Sequence, residues 1–175
     1  MSKFPYKTSH ALREYFENLP LNKLMELKLS YAPHFEQLDK EKAMIADSIQ
    51  KKSNELSRVE NRITIHEQAL AEVETAQSIY EQNLSNIRDE RADIDRVMGL
   101  RSLGISPIDS YNSTKLHLLR LQIEINSEID RLNRRLSELQ DKTLKAVSEL
   151  SILTDVIEKK TAVQESNVSP NYAFN

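Results

Sequence analysis

Residues 35–98 read FEQLDKEKAMIADSIQKKSNELSRVENRITIHEQALAEVETAQSIYEQNLSNIRDERADIDRVM, and the fold turns on this stretch. Stepping alternately three and four residues from Phe35 gives Phe35, Leu38, Lys42, Ile45, Ile49, Lys52, Leu56, Val59, Ile63, His66, Leu70, Val73, Gln77, Tyr80, Leu84, Ile87, Arg91, Ile94 and Met98. Fourteen of these nineteen positions are apolar, and no Gly or Pro interrupts the stretch. A 3.5-residue repeat keeps one narrow stripe turned toward a partner helix, the pattern of a coiled coil. The spacing predicts a single uninterrupted helix over 35–98, about 95–100 Å long at the α-helical rise.

A matching seam follows it: Ile108, Tyr111, Lys115, Leu118, Gln122, Ile125, Ile129, Leu132, Leu136, Leu139, Thr143, Ala146, Leu150, Leu153, Ile157, Lys160. It predicts a second long helix to about Gln164. Between the seams lies GLRSLGISP, residues 99–107, where Gly99 and Gly104 bracket a short apolar segment. Gly104 suits the position just past a helix end. Ser106 suits an N-cap, Pro107 a first helical position, and Asp109 the positive helix terminus. The reading is an antiparallel coiled-coil hairpin over 34–165 with its turn near 99–107. Setting Met98 beside Ile108 brings Ile87 to Leu118 or Leu119, Leu70 to Leu136, Leu56 to Leu150 and Ile49 to Ile157. Short connections favour such antiparallel neighbours.

Residues 1–33 read as two short helices. One is capped by Thr8 or Ser9, carries Leu12, Tyr15, Phe16 and Leu19, and ends at Pro20; the other spans Leu21 to Tyr31, with Pro33 separating it from the long helix. Helices this short do not persist alone in water. They are expected to dock at the open end of the hairpin, on the strip Leu144, Val147, Ile152, Val156 and Val163. The tail 166–175 holds Pro170 and no periodicity, and is expected to be flexible. The fold class is all-α: a long antiparallel helical hairpin, a two-helix coiled coil, with two short N-terminal helices packed at its open end.

Composition narrows the function classes. Two glycines in 175 residues leave little room for sheet turns or phosphate-cradling loops. A net charge of −3 argues against nucleic-acid binding, which needs clustered Lys and Arg. Arg131, Arg134 and Arg135 do cluster, but Glu128, Asp130 and Glu138 surround them. With no cysteine, disulfides, thiolate catalysis and Cys-based zinc sites are excluded together. The N-terminus lacks the apolar core of a signal peptide, and no run of 18 apolar residues occurs. The expectation is a cytoplasmic protein without membrane contact.

Catalytic, cofactor-binding and metal-binding residues are all read as none. His66-Glu67 opens like the zinc motif HExxH, but Leu70 stands where the second His must be. His66 is expected near the seam edge, bonded to Gln140 or Glu138. Lys42, Lys52, Gln77 and Arg91 are read as seam residues whose stems pack and whose heads reach solvent, penalising wrong registers. Arg91 is expected opposite Lys115. The charged run Arg88 to Arg96 reads as a solvated, ion-paired helix face.

What exceeds the needs of a two-helix seam is apolar surface near the turn. Leu116, Leu119 and Ile123, with Leu121 to one side, form a second strip, and Leu100, Leu103 and Ile105 adjoin it. These seven are the expected partner-binding residues, since an uncovered strip normally marks a contact site. The architecture is similar in outline to the stalk proteins of type III secretion export ATPases and to helical chaperones, an analogy of fold that carries no residue across. The functional expectation is a non-enzymatic scaffold or adaptor that binds a protein partner. The alternatives are a self-assembling homodimer, and a phage- or plasmid-type modulator or inhibitor of another enzyme or of a nucleic-acid transaction.

Overall fold

The computed structural model describes residues 3–4, 7–89 and 93–168, with side chains to Ser166. Among these residues every regular element is an α-helix: α1 Ser9–Glu17, α2 Leu21–Leu29, α3 Tyr31–Gln68, α4 Leu70–Arg88, α5 Asp93–Leu103 and α6 Pro107–Val168. None is long and apolar enough to cross a membrane.

Local chemistry sets the boundaries. Thr8 is extended and its side chain accepts from the Ala11 amide at 3.3 Å, capping α1. Pro20, also extended, opens α2. Pro33 lies in the first turn of α3 instead of preceding it, because a missing amide there forfeits no intrahelical bond. At the other junction Gly104 adopts a φ of 74°, a conformation that favours glycine, and α6 starts at Pro107 as its sequence predicts. That helix continues to Val168, past the expected end at Gln164. The remainder of the expected tail, 169–175, lies outside the described residues.

The single helix expected over 35–98 is three helices. At Ala69 the amide bonds to the His66 carbonyl, an i to i−3 contact that tightens the chain between α3 and α4. Asp89 caps the end of α4, and Asp93 and Asp95 occupy the first turn of α5. Carboxylates in a first turn stabilise a helix, and the charged run holds the end of α4; its residues 90–92 lie outside the described residues.

The phase of the two seams matches the pattern of burial. Every seam position from Phe35 to Ile87 is buried or half-buried except Leu70, and so is every one from Ile108 to Lys160. Beyond Ile87 the expectation fails. Arg91 lies outside the described residues, while Ile94 and Met98 are exposed. The reason is Gly99, which packs so closely on Ile87 that an added Cβ would sit 2.9 Å from it. Turning that side of α5 toward α4 leaves Ile94 and Met98 on the opposite side.

The chain divides into two compact units, Met1–Ser48 with Leu132–Asn175, and Ile49–Arg131. In the first, α1, α2 and the start of α3 pack on α6, and Leu12, Phe16, Leu24, Tyr31, Ala146, Leu153, Val156 and Ile157 form one core. Each side chain buried as fully as Phe16 or Leu153 stabilises the fold by about 1.5–3 kcal/mol. Lys160 donates to the Glu17 and Leu19 carbonyls at 2.7 and 2.6 Å, satisfying acceptors left open where α1 ends. The short helices cover Ile152 and Val156 of the expected strip, but Leu144, Val147 and Val163 stay exposed. Docking follows the seam side of α6, where Ala146 and Leu153 supply a flush surface.

In the second unit the facing pairs differ from those expected. Lys52 pairs with Glu128 at 2.7 Å and Lys115 with Glu67 at 3.0 Å. Gln122 donates to Glu60 at 3.4 Å, and the Ser106 hydroxyl donates to Gln77 at 2.8 Å. Thus Lys115 meets Glu67, not Arg91, and the proposed neighbour of Leu70 is displaced from Leu136 by several turns. A seam that repeats every seven residues superposes on itself when slid by whole heptads, so apolar matching alone did not select among registers.

Candidate functional site

In the second unit α6 divides its residues between two faces. At 100° per residue, Tyr111, Leu118 and Ile125 share one side and are buried. Leu116, Leu119 and Ile123 share the other and are exposed, Ile123 to 69%. The outward three sit at i, i+3 and i+7, the spacing with which one helix grips another. Of the seven expected contact residues, Leu100 and Ile105 are exposed too, Ile105 to 78%, whereas Leu103 and Leu121 are half-buried.

Three polar side chains, Gln77, His66 and Glu67, fix this part of α6. Gln77 Oε1 accepts from the Ser106 hydroxyl and from the Ile108 amide at 3.2 Å. A seam glutamine on α4 therefore caps α6, a more specific role than reaching solvent. Sequence reasoning missed it, although the Ser106-Pro107 cap signal and Gln77 were both visible. His66 stacks on Tyr111 with ring centroids 4.2 Å apart, and its Nε2 lies 2.9 Å from the Tyr111 carbonyl oxygen. The expected bond to Gln140 or Glu138 is not made, because the register brings Tyr111 there instead. Beside this stack, Glu67 hydrogen-bonds Lys115 and holds its ammonium above the usual lysine range. Farther along, a hydrogen bond to Glu128 and then one to Glu55 raise Lys52, and Lys52 in turn lowers Glu128.

The first unit contains a feature of a different kind. Glu149 is buried, 5% exposed, among apolar side chains. It accepts from the Lys3 amide at 3.0 Å, the Phe4 amide at 3.2 Å and the Tyr31 hydroxyl at 3.0 Å. Burial first, then the charge and hydrogen bond of Glu149, push the Tyr31 phenol far above the ordinary tyrosine range. Phe4 packs against Tyr15 and Phe16 with centroids 5.5 and 5.6 Å away. Lys3 Nζ sits 4.9 Å from the Tyr31 ring centre and donates to the Ser30 hydroxyl. Glu149 also lines a small pocket of about 170 Å³ with Lys7, Ser9, Lys145 and Ser148. The carboxylate is spent on holding three separated segments together. Its sequence signal was a charged residue among Ala146, Leu150, Leu153 and Val156 on one helix.

Among the described residues, no three His, Cys, Asp or Glu side chains are grouped to hold a metal ion. No protein-family model, curated protein or solved structure matches this chain.

Proposed function

We propose that the protein is a non-enzymatic helical adaptor that presents the Leu116, Leu119 and Ile123 strip, with Leu100 and Ile105, to a protein partner. Its limbs, α3–α4 and α5–α6, are read as an antiparallel coiled-coil hairpin with the two short helices at its open end. Its turn is read between α4 and α5 and not near 99–107 as expected, since Gly99 already packs on Ile87 and Tyr80 donates to the Gly104 carbonyl. Support for the hairpin comes from the order of the pairs: numbers fall from Gln77 through Glu67 to Lys52 as they rise from Ser106 through Lys115 to Glu128. The observation that carries the adaptor reading is the outward α6 strip. Its side chains are exposed although the helix already buries Tyr111, Leu118 and Ile125 on its other side. Apolar surface at i, i+3 and i+7 suits a partner helix or groove.

The test combines Leu116→Asp, Leu119→Asp and Ile123→Asp, with circular dichroism confirming that the variant remains helical. Affinity capture from the native cell extract is expected to recover a protein with the parent chain that the variant does not retain. Identical associations for both chains would overturn the reading.

A further inference from the structure

Helix α5 carries a second apolar face that the adaptor reading does not use. Gly99 faces Ile87 on α4, and Leu103 falls on the same side of the helix by the 100° repeat. Opposite them stand Ile94, Val97, Met98 and Arg101, with the three apolar side chains 70%, 50% and 64% exposed. Charge is distributed unevenly along this face. Asp93, at its edge, lies in the first turn and Arg101 in the last. The Asp93 carboxylate bonds Arg96 one turn on but is still 91% exposed.

We propose that this face is a self-association surface whose occupant is α5 of a second copy, packed antiparallel about a twofold axis through Val97 and Met98. Antiparallel pairing sets Val97 against the partner's Met98 and lays Ile94 along the stem of the partner's Arg101. That guanidinium then reaches Asp93. The same contact is made twice, as an isologous interface requires. Parallel pairing would bring acid to acid and base to base at the two ends. The end-to-end charge reversal is thus self-complementary, and a second copy satisfies it without any further surface.

An 11-residue helix is about 16 Å long. The face is smaller than the roughly 800 Å² per partner of a stable interface, so the dimer is weak and concentration-dependent. The inference is independent of the adaptor reading, because it uses Ile94, Val97, Met98 and Arg101 in place of Leu100, Ile105 and the α6 strip, and a different partner.

Sedimentation equilibrium tests it on the full chain. Between about 10 µM and 1 mM, a range spanning weak association, the mass is expected to rise from 20.2 kDa toward twice that value. The pair Val97→Asp and Met98→Asp is expected to weaken association at least tenfold. Asp93→Arg alone and Arg101→Asp alone should each weaken it. Mixed together, these two single variants restore both ion pairs in a heterodimer and should associate at least as tightly as the parent chain. Both carry their altered helix end into the mixture, so recovery there cannot come from helix stability. A parent chain that remains monomeric at the highest concentration would overturn the proposal. So would a dimer indifferent to the α5 substitutions, a mixture that fails to associate, or a dimer lost only in the Leu116, Leu119 and Ile123 triple variant. Loss of the captured partner in that triple variant, with the dimer intact, leaves the α5 proposal standing beside the adaptor reading.

Discussion

The two units bury their apolar residues to different depths. In the first, α1 and α2 lie over α6, so Phe16, Leu24 and Leu153 lose essentially all contact with water. In the second, Val59, Tyr111, Leu118 and Ile125 are buried, but most other seam positions are only half-covered. On α6 the fully buried positions of this seam recur every seven residues, about one in two turns. Adding a third element closes the flanks. The difference teaches that stability is concentrated where the short helices sit, while the second unit depends on polar contacts to fix its register.

The largest break in this comparison should come from Phe16→Ala, which empties a closed core and is expected to cost about 3–5 kcal/mol. Leu118→Ala, in the thinner seam, should fall toward the lower end of the range of about 2–5 kcal/mol for such a change. Urea denaturation of the two variants measures the difference; equal losses would mean that the units are equally well packed.

Glu149→Ala is expected to be the next largest, about 2–4 kcal/mol, since it strands donors in a buried place. Hydrogen exchange at the Lys3 and Phe4 amides should accelerate with it. Tyr31→Phe sharpens the same point through pH. The folded-state pKa of Tyr31 is raised, so its contribution is complete below the ordinary tyrosine value of about 10 and is lost as pH rises through the folded value. The parent chain should therefore lose stability in strong alkali, and Tyr31→Phe should lose less there, despite a cost of about 1 kcal/mol near neutrality. Parallel alkaline unfolding curves for the two would contradict this.

Gln77→Ala removes the cap on α6 and should cost about 1 kcal/mol, with faster amide exchange at Ile108 as its local sign. The smallest effect belongs to Lys52 and Glu128. Both side chains are more than a third solvent-exposed or close to it, so Lys52→Ala should lower stability only slightly, and less at high salt. Because Glu128 is lowered by its partner, the pair's contribution is present above the ordinary carboxylate range and declines on acidification. A chemical shift titration of Glu128 in both chains reads this directly.

Much of this molecule was legible from apolar spacing. The 3,4 alternation gave the helices and the buried side of each from Phe35 to Ile87 and from Ile108 to Lys160, and residue type gave the caps at Ser106 and at Thr8 or Ser9, of which the structure uses Thr8. Pairing was not legible, for the physical reason that a heptad seam scores well at many offsets. What selects the offset is a small number of polar side chains. Gln77 can bond Ser106 and Ile108, and Lys115 can bond Glu67, at one register only. The end of α4 at Asp89 was hidden in a charged run that reads as readily as one solvated helix face. Five of the seven strip residues are exposed as their spacing implied; Leu103 is half-covered because it shares the Gly99 side of α5, and Leu121 because it falls toward the flank of the buried side of α6.

The Glu149 cluster has a consequence for synthesis. Lys3, Phe4 and Tyr31 are made long before the carboxylate that binds them, with separations of 146, 145 and 118 residues. A ribosome adding about 5–20 residues per second leaves Leu12, Phe16 and Leu24 uncovered for on the order of ten seconds. The nascent chain must keep those side chains from other apolar surfaces until α6 emerges, so the least stable moment of the best-packed unit comes during its own translation.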